Sequence, residues 1–287
     1  MNILTFDIEE WFHLLDNAST RTEQEWGRYE SRIHQNMDRI FRLLDDTNRR
    51  ATFFCLGWVA RKYPDVIRRI DELGYEIGTH SDMHQLAYEQ SPEAYRTDLE
   101  TSIKALQDVT GKRVRSYRAP GFSVKEDTRW VFPILVENGI EIDCSVFPAR
   151  RAHGGDRSFG TAEPCLIDVQ GTKLKEFPIN TVDLLGQDMI FSGGGYFRLF
   201  PYDVLKRFMR QSPYVMTYFH PRDFDAGQPM IPGLSLTRKF KSYYGLSGCL
   251  DKLKRLLEDY EFIDLAEADR RVDWTKAAVK QLGEMGN

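Results

Sequence analysis

No stretch of this sequence approaches the roughly 18 consecutive apolar residues that a membrane-spanning helix requires. The amino-terminal segment MNILTFDIEEWF has neither the basic start nor the apolar run of a signal peptide. These two absences predict a cytoplasmic protein without a membrane span.

A surplus of positive charge is also missing. The chain has 39 Lys and Arg against 43 Asp and Glu, which gives a formal net charge of -4. Because binding to a phosphate backbone usually needs a basic surplus, we expect no nucleic-acid partner. The 4 cysteines form no CxxC pair, and most of them lie in apolar, strand-like runs, so we interpret them as reduced and structural.

What the sequence does contain is an alternation of short apolar segments and longer segments with helical periodicity. The strand-like run ILTF (3–6) precedes apolar residues at helical spacing between positions 33 and 44, and the run ATFFCL (51–56) follows. The alternation continues to EFIDL (261–265). Apolar strands separated by helices are typical of a parallel sheet covered by helices, and the number of units favours a barrel.

Local signals mark several helix ends in this pattern. Ser91 followed by Pro92 is a typical N-cap and first helical residue, and the periodicity after them runs to Gly111. Gly74 follows another helical segment as a C′ glycine. These signals predict two well-delimited helices before Gly74 and before Gly111.

Two parts of the chain lack such signals. We expect the stretch from Cys144 to about Pro201 to be long and irregular. We expect one barrel domain over residues 1–269, and a peripheral helix or tail over residues 270–287.

A polar side chain follows each of five predicted strands. In parallel α/β folds the carboxyl ends of the strands share one edge, so reacting groups from different strands converge there. A capping or turn role would explain any one of these residues, but acid, imidazole and guanidinium groups at five strand ends favour a single active-site mouth. The residues are Asp7, His80, Arg118, Asp143 and His220.

The segment GTHSDMH brings a second histidine, His84, close to His80 at this edge. Their spacing is compatible with one face of a helix or with a turn after a strand. Two neutral imidazoles and a carboxylate make an open site for a divalent ion that activates water and polarises a carbonyl. A second carboxylate would act as base, and His220 would protonate the leaving group. The pattern therefore predicts metal-assisted hydrolysis.

Five motifs in order, TFDIEEW, HSDMH, RAPGF, IDCS and FHP, resemble those of the polysaccharide deacetylases, the NodB-homology or carbohydrate esterase family 4 group. The resemblance covers the chain from about residue 2 to residue 265. It implies a deformed (β/α)7 barrel, one divalent ion that is usually zinc, no organic cofactor, and hydrolysis of an N-acetyl group from an amino sugar.

Two further segments, SGGGYFRLFPY and YFHPRDFD, resemble the branch of this family found with exopolysaccharide and O-antigen biosynthesis. That branch implies an N-acetylhexosamine in a surface polysaccharide or in its precursor, which is nucleotide-linked, lipid-linked or polymeric.

The resemblance also implies catalytic roles, carried over motif by motif. Asp7 is the expected base, and Arg118 orients it through a charged hydrogen bond. His220 is the expected acid. Asp143, in the fourth motif, is expected to orient His220, although the tryptophan usual near this motif is replaced here by the run DCSVF.

The first motif departs from the commonest family pattern of two adjacent aspartates, because Ile8 occupies the second place. Alternation along a strand puts Asp7 and Glu9 on one side and Ile8 on the other. We therefore expect Glu9 to be the carboxylate ligand, with Glu10 as the alternative. The implied ligand set is Glu9, His80 and His84.

Residues beside these motifs are expected to bind the substrate. In RAPGF they are Pro120, Gly121 and Phe122, and in the glycine-rich segment SGGGYFR they are Tyr196 and Arg198.

The remaining histidines and the short basic runs carry no partner pattern. We expect His13 and His34 at the surface and His153 in a solvated loop. The run Arg238, Lys239 and Lys241 is either a solvated face or a patch that faces an anionic carrier such as a lipid pyrophosphate.

Two other functions stay open at the level of sequence. The first is hydrolysis of a different non-peptide C–N bond, in a cyclic imide or ureide, which the acid-x-acid first motif allows. The second is a catalytically inactive carbohydrate-binding protein. Retention of all five motif positions argues against the second function.

Overall fold

The computed structural model describes residues 1–15, 17–149, 154–184 and 186–282, so His153 lies outside the described residues. In this part of the chain, parallel strands form a closed but irregular barrel with helices outside it. The first half supplies β1 (Asn2–Ile3), β2 (Thr5–Ile8), β3 (Thr52–Cys55), β4 (Glu76–Thr79), β5 (Ser116–Tyr117) and β6 (Ile142–Asp143). The second half supplies β7 (Cys165–Val169), β8 (Thr172–Glu176), β9 (Val182–Leu184), β10 (Gln187–Met189), β11 (Val215–Met216) and β12 (Val279–Gln281).

The barrel wall runs β2, β3, β4, β5, β6 and β8, all paired in parallel. It closes through β11, which pairs in parallel with β1, and through a bridge between Phe6 and Phe219. Counting β1 and β2 as one position, these strands make seven, as a (β/α)7 barrel requires. Between β8 and β11 the contact passes through a side chain, because the Met216 amide donates to Asn180 Oδ1 at 3.0 Å.

The helices fill the crossovers and pack their apolar faces onto the wall. In α2 (Ile33–Thr47), the buried residues Ile33, Met37, Ile40 and Leu44 recur at helical spacing and join one core with the strands. The other helices are α1 (Glu23–Trp26), α3 (Gly57–Lys62), α4 (Pro64–Glu72), α5 (Pro92–Thr110), α6 (Val131–Glu137), α7 (Gly194–Leu199), α8 (Tyr202–Gln211), α9 (Leu236–Tyr243), α10 (Cys249–Asp259) and α11 (Leu265–Arg271).

The helix ends expected from sequence are confirmed. Ser91 caps α5 by accepting a hydrogen bond from the Ala94 amide, and α5 ends at Gly111 with a φ of 67°. Gly74 after α4 has a φ of 74°. The four cysteines are free and buried. No helix among the described residues is both long and apolar enough to cross a bilayer.

The expectation of a long irregular stretch is wrong. The stretch after Cys144 contains the antiparallel pair β7–β8, the antiparallel pair β9–β10 and helix α7. The signal for the first pair is the turn Gln170-Gly171, where both residues have positive φ, 52° and 91°, as a type I′ hairpin requires. Within the segment expected to be a peripheral helix or tail, residues 279–281 form β12, which pairs in parallel with β7.

Candidate metal centre and its cleft

The strand ends converge on one cleft of about 650 Å³. Asp7 and Glu9 enter it from β2 and the residue after it, and His80 and His84 enter from the turn after β4. His220 enters from the turn that follows the bridge at Phe219. Asp7, His80 and His220 therefore share the predicted mouth, whereas the fully buried Arg118 and Asp143 do not line it.

Glu9, His80 and His84 form the candidate metal centre. One donor atom from each residue lies within 4.8 Å of the other two. Glu9 Oε2 lies 2.7 Å from His84 Nε2, and both side chains are almost fully buried. The positive potential of His84 and His220 outweighs burial and holds the pKa of the Glu9 carboxyl far below its usual range. Two imidazoles and an ionised carboxylate are a donor set that fits zinc and leaves coordination positions open.

The tautomer of His80 is set by a hydrogen bond from its other nitrogen. His80 Nδ1 donates to the Arg118 carbonyl at 2.8 Å, so the Nε2 lone pair faces the cleft. Burial lowers the pKa of His80 to about 4, which keeps the ring neutral at physiological pH. The ring is therefore neutral, carries its proton on Nδ1, and is oriented as a metal ligand requires.

The two histidines lie on a turn rather than a helix. Ser81 and His84 both have positive φ, 72° and 55°, and the His84 amide donates to Ser81 Oγ. Asp98 on α5 holds the turn by accepting from the amides of Asp82 and Met83 at 2.8 and 3.0 Å. This support explains how such a backbone conformation persists.

Asp7 and Arg118 form a buried ion pair beside the ligands. Arg118 Nη1 donates to Asp7 Oδ1 at 2.7 Å and to Thr5 Oγ1 at 2.6 Å. The guanidinium also lies 4.3 Å from the ring centroid of Phe54. Asp7 Oδ2 is left on the cleft side, 3.9 Å from His220 Nε2.

The carboxylate that contacts His220 is Asp223, so the expectation that Asp143 orients His220 is wrong. Asp223 Oδ2 lies 3.2 Å from His220 Nδ1 and accepts from the His220 amide at 3.0 Å. Burial alone would lower the pKa of His220, but Glu9, Asp223 and Asp7 outweigh it and raise this pKa to about 9.

Asp143 lies instead within the barrel wall. Ser145 Oγ donates to its carboxyl group, and its strand position is opposite Glu176 on β8. Burial raises the pKa of both acids, and for Glu176 the nearby Asp143 raises it further. This pair is buried in the wall and does not line the cleft.

Glu10, the alternative ligand, does not face the ligand cluster. Its carboxylate accepts from the amides of Arg32 and Ile33 at the start of α2, and from the Ser31 hydroxyl. Glu10 therefore satisfies the free amides of a helix N-terminus.

His34 is exposed as expected and lies 2.8 Å from Asp65, but the expectation of a surface position for His13 is wrong. His13 is 2% exposed and lines the cleft. Its ring centroid lies 4.3 Å from that of Trp26 and 6.0 Å from that of His84. Burial lowers the pKa of His13 to about 3.

Four of the five expected substrate-binding residues line the cleft: Gly121, Phe122, Tyr196 and Arg198. Pro120 is buried at the start of a short 3-10 helix and is not part of the lining. Arg198 also makes several hydrogen bonds within the protein. Its guanidinium donates to the carbonyls of Lys241, Ser242 and Tyr244, and its Nε lies 3.3 Å from Asp223 Oδ1.

Sequence reasoning missed Asp223 and Arg222, although a local signal was present. In His220-Pro221-Arg222-Asp223 a proline is followed two residues later by an acid, which is a typical helix start. The structure has a short 3-10 helix there, and Asp223 closes a capping box with His220.

The fold is a parallel (β/α) barrel, and its cleft brings together a candidate His-His-carboxylate metal centre at the carboxyl ends of the strands. Residues 4–133 match the family model "Polysaccharide deacetylase", so this segment is similar to that family. Residues 144–270 match "Domain of unknown function (DUF3473)". The ligands and Asp7 thus lie in the first segment, whereas His220, Arg222 and Asp223 lie in the second.

Part of the chain is also similar to a curated protein. Chitin deacetylase 1 of Saccharomyces cerevisiae is 32% identical over 136 residues, which are 46% of this chain and 44% of that protein. The chain thus spans less than half the length of this curated relative.

Similarity to solved structures extends over almost the whole chain and concerns the fold. A candidate polysaccharide deacetylase from Mycobacterium smegmatis has a TM-score of 0.67 at 18% identity, covering 97% of this chain and 91% of its own. A CE4 family pseudoenzyme from Bacillus anthracis has a TM-score of 0.52 at 17% identity, covering 98% of this chain and 69% of its own.

Proposed function

We propose that this chain is a metal-dependent deacetylase that hydrolyses the N-acetyl group of an amino sugar in a surface polysaccharide, or in a precursor for exopolysaccharide or O-antigen biosynthesis. The observation that carries the proposal is the position of one imidazole between two carboxylates. His220 Nε2 lies 3.9 Å from Asp7 Oδ2 and 4.0 Å from Glu9 Oε1. A candidate acid, a candidate base and the ligand set therefore meet in one cleft.

Glu9, His80 and His84 would hold the ion, and zinc suits this donor set best. When bound, the ion supplies Lewis acidity toward the amide carbonyl and the attacking water. Every other step is assigned to side chains of this chain.

Asp7 takes a proton from the water as the water attacks the amide carbon, and Arg118 holds the carboxylate in the orientation that this transfer needs. His220 then gives its proton to the amine nitrogen as the C–N bond breaks. Asp223 keeps the ring of His220 oriented and favours its charged form. The products are acetate and a free amino sugar.

The test is release of acetate from an N-acetylglucosamine oligosaccharide by the zinc-loaded protein. Asp7→Asn keeps the shape of the side chain and removes the base, so the rate should fall by about 100-fold to 10,000-fold. Asp38→Asn, which changes an exposed carboxylate on α2, is the matched control. An Asp7→Asn variant with unchanged activity would contradict the mechanism.

A second candidate function is hydrolysis of a cyclic imide or ureide, because Ile8 replaces the second acid of the commonest first motif. Assaying such compounds beside the N-acetyl sugar distinguishes the two reactions. An inactive carbohydrate-binding protein would release no acetate, and the Asp7→Asn substitution would leave its affinity for the sugar unchanged.

A further inference from the structure

Arg222 is a buried cation on the wall of the cleft, and it forms no ion pair with any residue that the structure describes. Its side chain is 7% exposed and belongs to the cleft lining. Its Nε donates to Gln228 Oε1 at 3.1 Å, and the guanidinium lies 5.8 Å from the ring centroid of Tyr243. Within the described part of the chain, Nη2 has no hydrogen-bond acceptor. A buried charged donor of this kind is costly unless a ligand pairs with it.

The nearby acids are already engaged with other partners. The charges of Asp223 and Glu9 act on Arg222, but Asp223 contacts His220 and Arg198, and Glu9 pairs with His84. Asp225 pairs with Arg32 at the start of α2. Among the ion pairs of the described residues, none involves Arg222. An anion that enters the cleft is therefore the natural partner of this guanidinium.

The rim of the same cleft is apolar and exposed. Among the described residues, eight large apolar side chains are exposed, and six of them lie between positions 196 and 244. Leu199, Phe240 and Tyr244 are 44%, 52% and 48% exposed and line the cleft together with Tyr196. Phe240 and Tyr244 contact each other, with ring centroids 4.7 Å apart. Clustering of this kind marks a contact surface for an apolar ligand.

The rim is also basic, in a chain whose net charge is negative. Residues 226–250 contain no Asp or Glu but contain Arg238, Lys239 and Lys241. Lys241 is exposed and lines the cleft. An anion beside an apolar chain would match both properties of this surface.

We propose that the amino sugar reaches this site on a phosphate group that is esterified to a lipid chain, with the phosphate at Arg222 and Lys241 and the lipid chain over Leu199, Phe240 and Tyr244. This inference rests on the proposed deacetylase function and selects one of the three forms of substrate that the sequence left open. A neutral polymer offers no anion to Arg222. A nucleotide carrier offers an anion, but it has no apolar chain to cover Leu199.

Binding is tested first, because it does not depend on activity. Titration calorimetry with dodecyl phosphate is compared with dodecyl maltoside, which has the same chain without the anion, and with inorganic phosphate, which lacks the chain. Dodecyl phosphate should bind at least about tenfold more tightly than either. Equal binding of dodecyl phosphate and dodecyl maltoside would overturn the anion site, and equal binding of inorganic phosphate would overturn the lipid contact.

The variants separate the two parts of the surface. Arg222→Gln and Lys241→Gln should each weaken dodecyl phosphate binding by about tenfold and leave dodecyl maltoside unaffected. Phe240→Ser should weaken both amphiphiles. Lys241 and Phe240 are exposed, so these two variants keep the test valid if Arg222→Gln fails to fold. Val279→Ser, at an exposed apolar position on β12, is the matched control.

Acetate release then compares three substrates: N-acetylglucosamine on a lipid phosphate, a neutral N-acetylglucosamine trimer and the nucleotide-linked sugar. The lipid-linked form should have the highest kcat/KM, and Lys241→Gln should raise the KM for this substrate alone. Equal turnover of the trimer, or a preference for the nucleotide-linked sugar that is insensitive to Phe240→Ser, overturns the inference and leaves the deacetylase proposal intact. Tight binding of dodecyl phosphate without acetate release from any substrate supports the amphiphile site and refutes the deacetylase function.

Discussion

Arg118 and Asp7 form a fully buried ion pair in which Nη1 donates to Oδ1 at 2.7 Å. The two residues are 111 positions apart and come from strands on different sides of the barrel wall. The guanidinium of Arg118 also donates to Thr5, and the backbone carbonyl of Arg118 accepts from His80. Arg118 therefore positions both the expected base and one expected ligand.

Replacing Arg118 should therefore damage stability and activity together. Arg118→Met leaves the Asp7 carboxylate buried without its partner, which should cost about 3–5 kcal/mol in the free energy of unfolding. Urea denaturation measures this cost, and acetate release measures the loss of activity. Arg115→Met removes an exposed pair with Glu141 and should cost no more than about 1 kcal/mol. Equal costs for the two variants would contradict the role of burial.

The carboxylate ligand can be identified by a pair of adjacent substitutions. Glu9→Gln should remove the bound divalent ion, which elemental analysis measures as a loss from about one equivalent per chain. Glu10→Gln should retain the ion and lower the free energy of unfolding by about 1–2 kcal/mol, because it weakens the cap of α2. Loss of the ion in Glu10→Gln alone would refute the assignment.

The histidine ligands require a separate control. His80→Ala with His84→Ala should abolish metal binding, whereas His34→Ala, at an exposed position beside Asp65, should leave it unchanged. Retention of a full equivalent by the double variant would exclude this centre as the metal site.

Asp223 should set the alkaline limit of activity. His220 acts as an acid only when protonated, so activity should fall as pH rises through its pKa, which the neighbouring carboxylates raise to about 9 against the effect of burial. Asp223→Asn removes one of these charges and should move the alkaline limb of kcat/KM to lower pH, by on the order of one unit. Both profiles are measured with the same bound ion, since its charge lowers the pKa of both proteins alike. An unmoved limb would exclude His220 as the titrating acid.

Asp98 should make stability depend on pH. Burial raises the pKa of its carboxyl group to about 6, against 3.8 as the ordinary value. The folded state therefore binds this proton more tightly than the unfolded state, so the stabilisation is fully present below pH 4 and is lost as pH rises through 6.

Asp98→Asn cannot titrate and keeps one oxygen, so it retains an acceptor for one of the two amides of Asp82 and Met83, which in the unchanged protein donate to different oxygens of Asp98. Its stability should therefore decline less than that of the unchanged protein between pH 4 and pH 6, by on the order of 2–3 kcal/mol. Denaturant midpoints across this range give the comparison. If stability falls equally with pH in the two proteins, the raised pKa of Asp98 is contradicted.

The sequence predicted a large part of the barrel and the edge that carries the site. Apolar runs separated by helical periodicity identify parallel strands, and alternation along β2 correctly puts Asp7 and Glu9 on the cleft side and Ile8 in the core. These features are local, because they follow from the spacing of side chains along one element. The catalytic roles of the residues at this edge stay predictions.

The missed features depend on contacts between distant segments. Asp143 and Asp223 both follow strand-like runs, and only the packing of the closed barrel puts Asp223 against His220 and Asp143 opposite Glu176. The burial of His13 likewise depends on Trp26, which arrives from another segment.

By itself, the sequence determined the order of the parallel strands from β2 to β6 and the polar residues near their carboxyl ends, because hydrophobic periodicity and turn chemistry act within a few positions. Only the tertiary structure decided that Glu10 caps a helix while Glu9 faces the histidines. It also decided that Arg222 lies buried in the cleft with no hydrogen-bond acceptor for Nη2 among the described residues. The physical reason is that pairing and desolvation depend on which groups the folded chain brings within a few ångströms, and sequence spacing does not contain that distance.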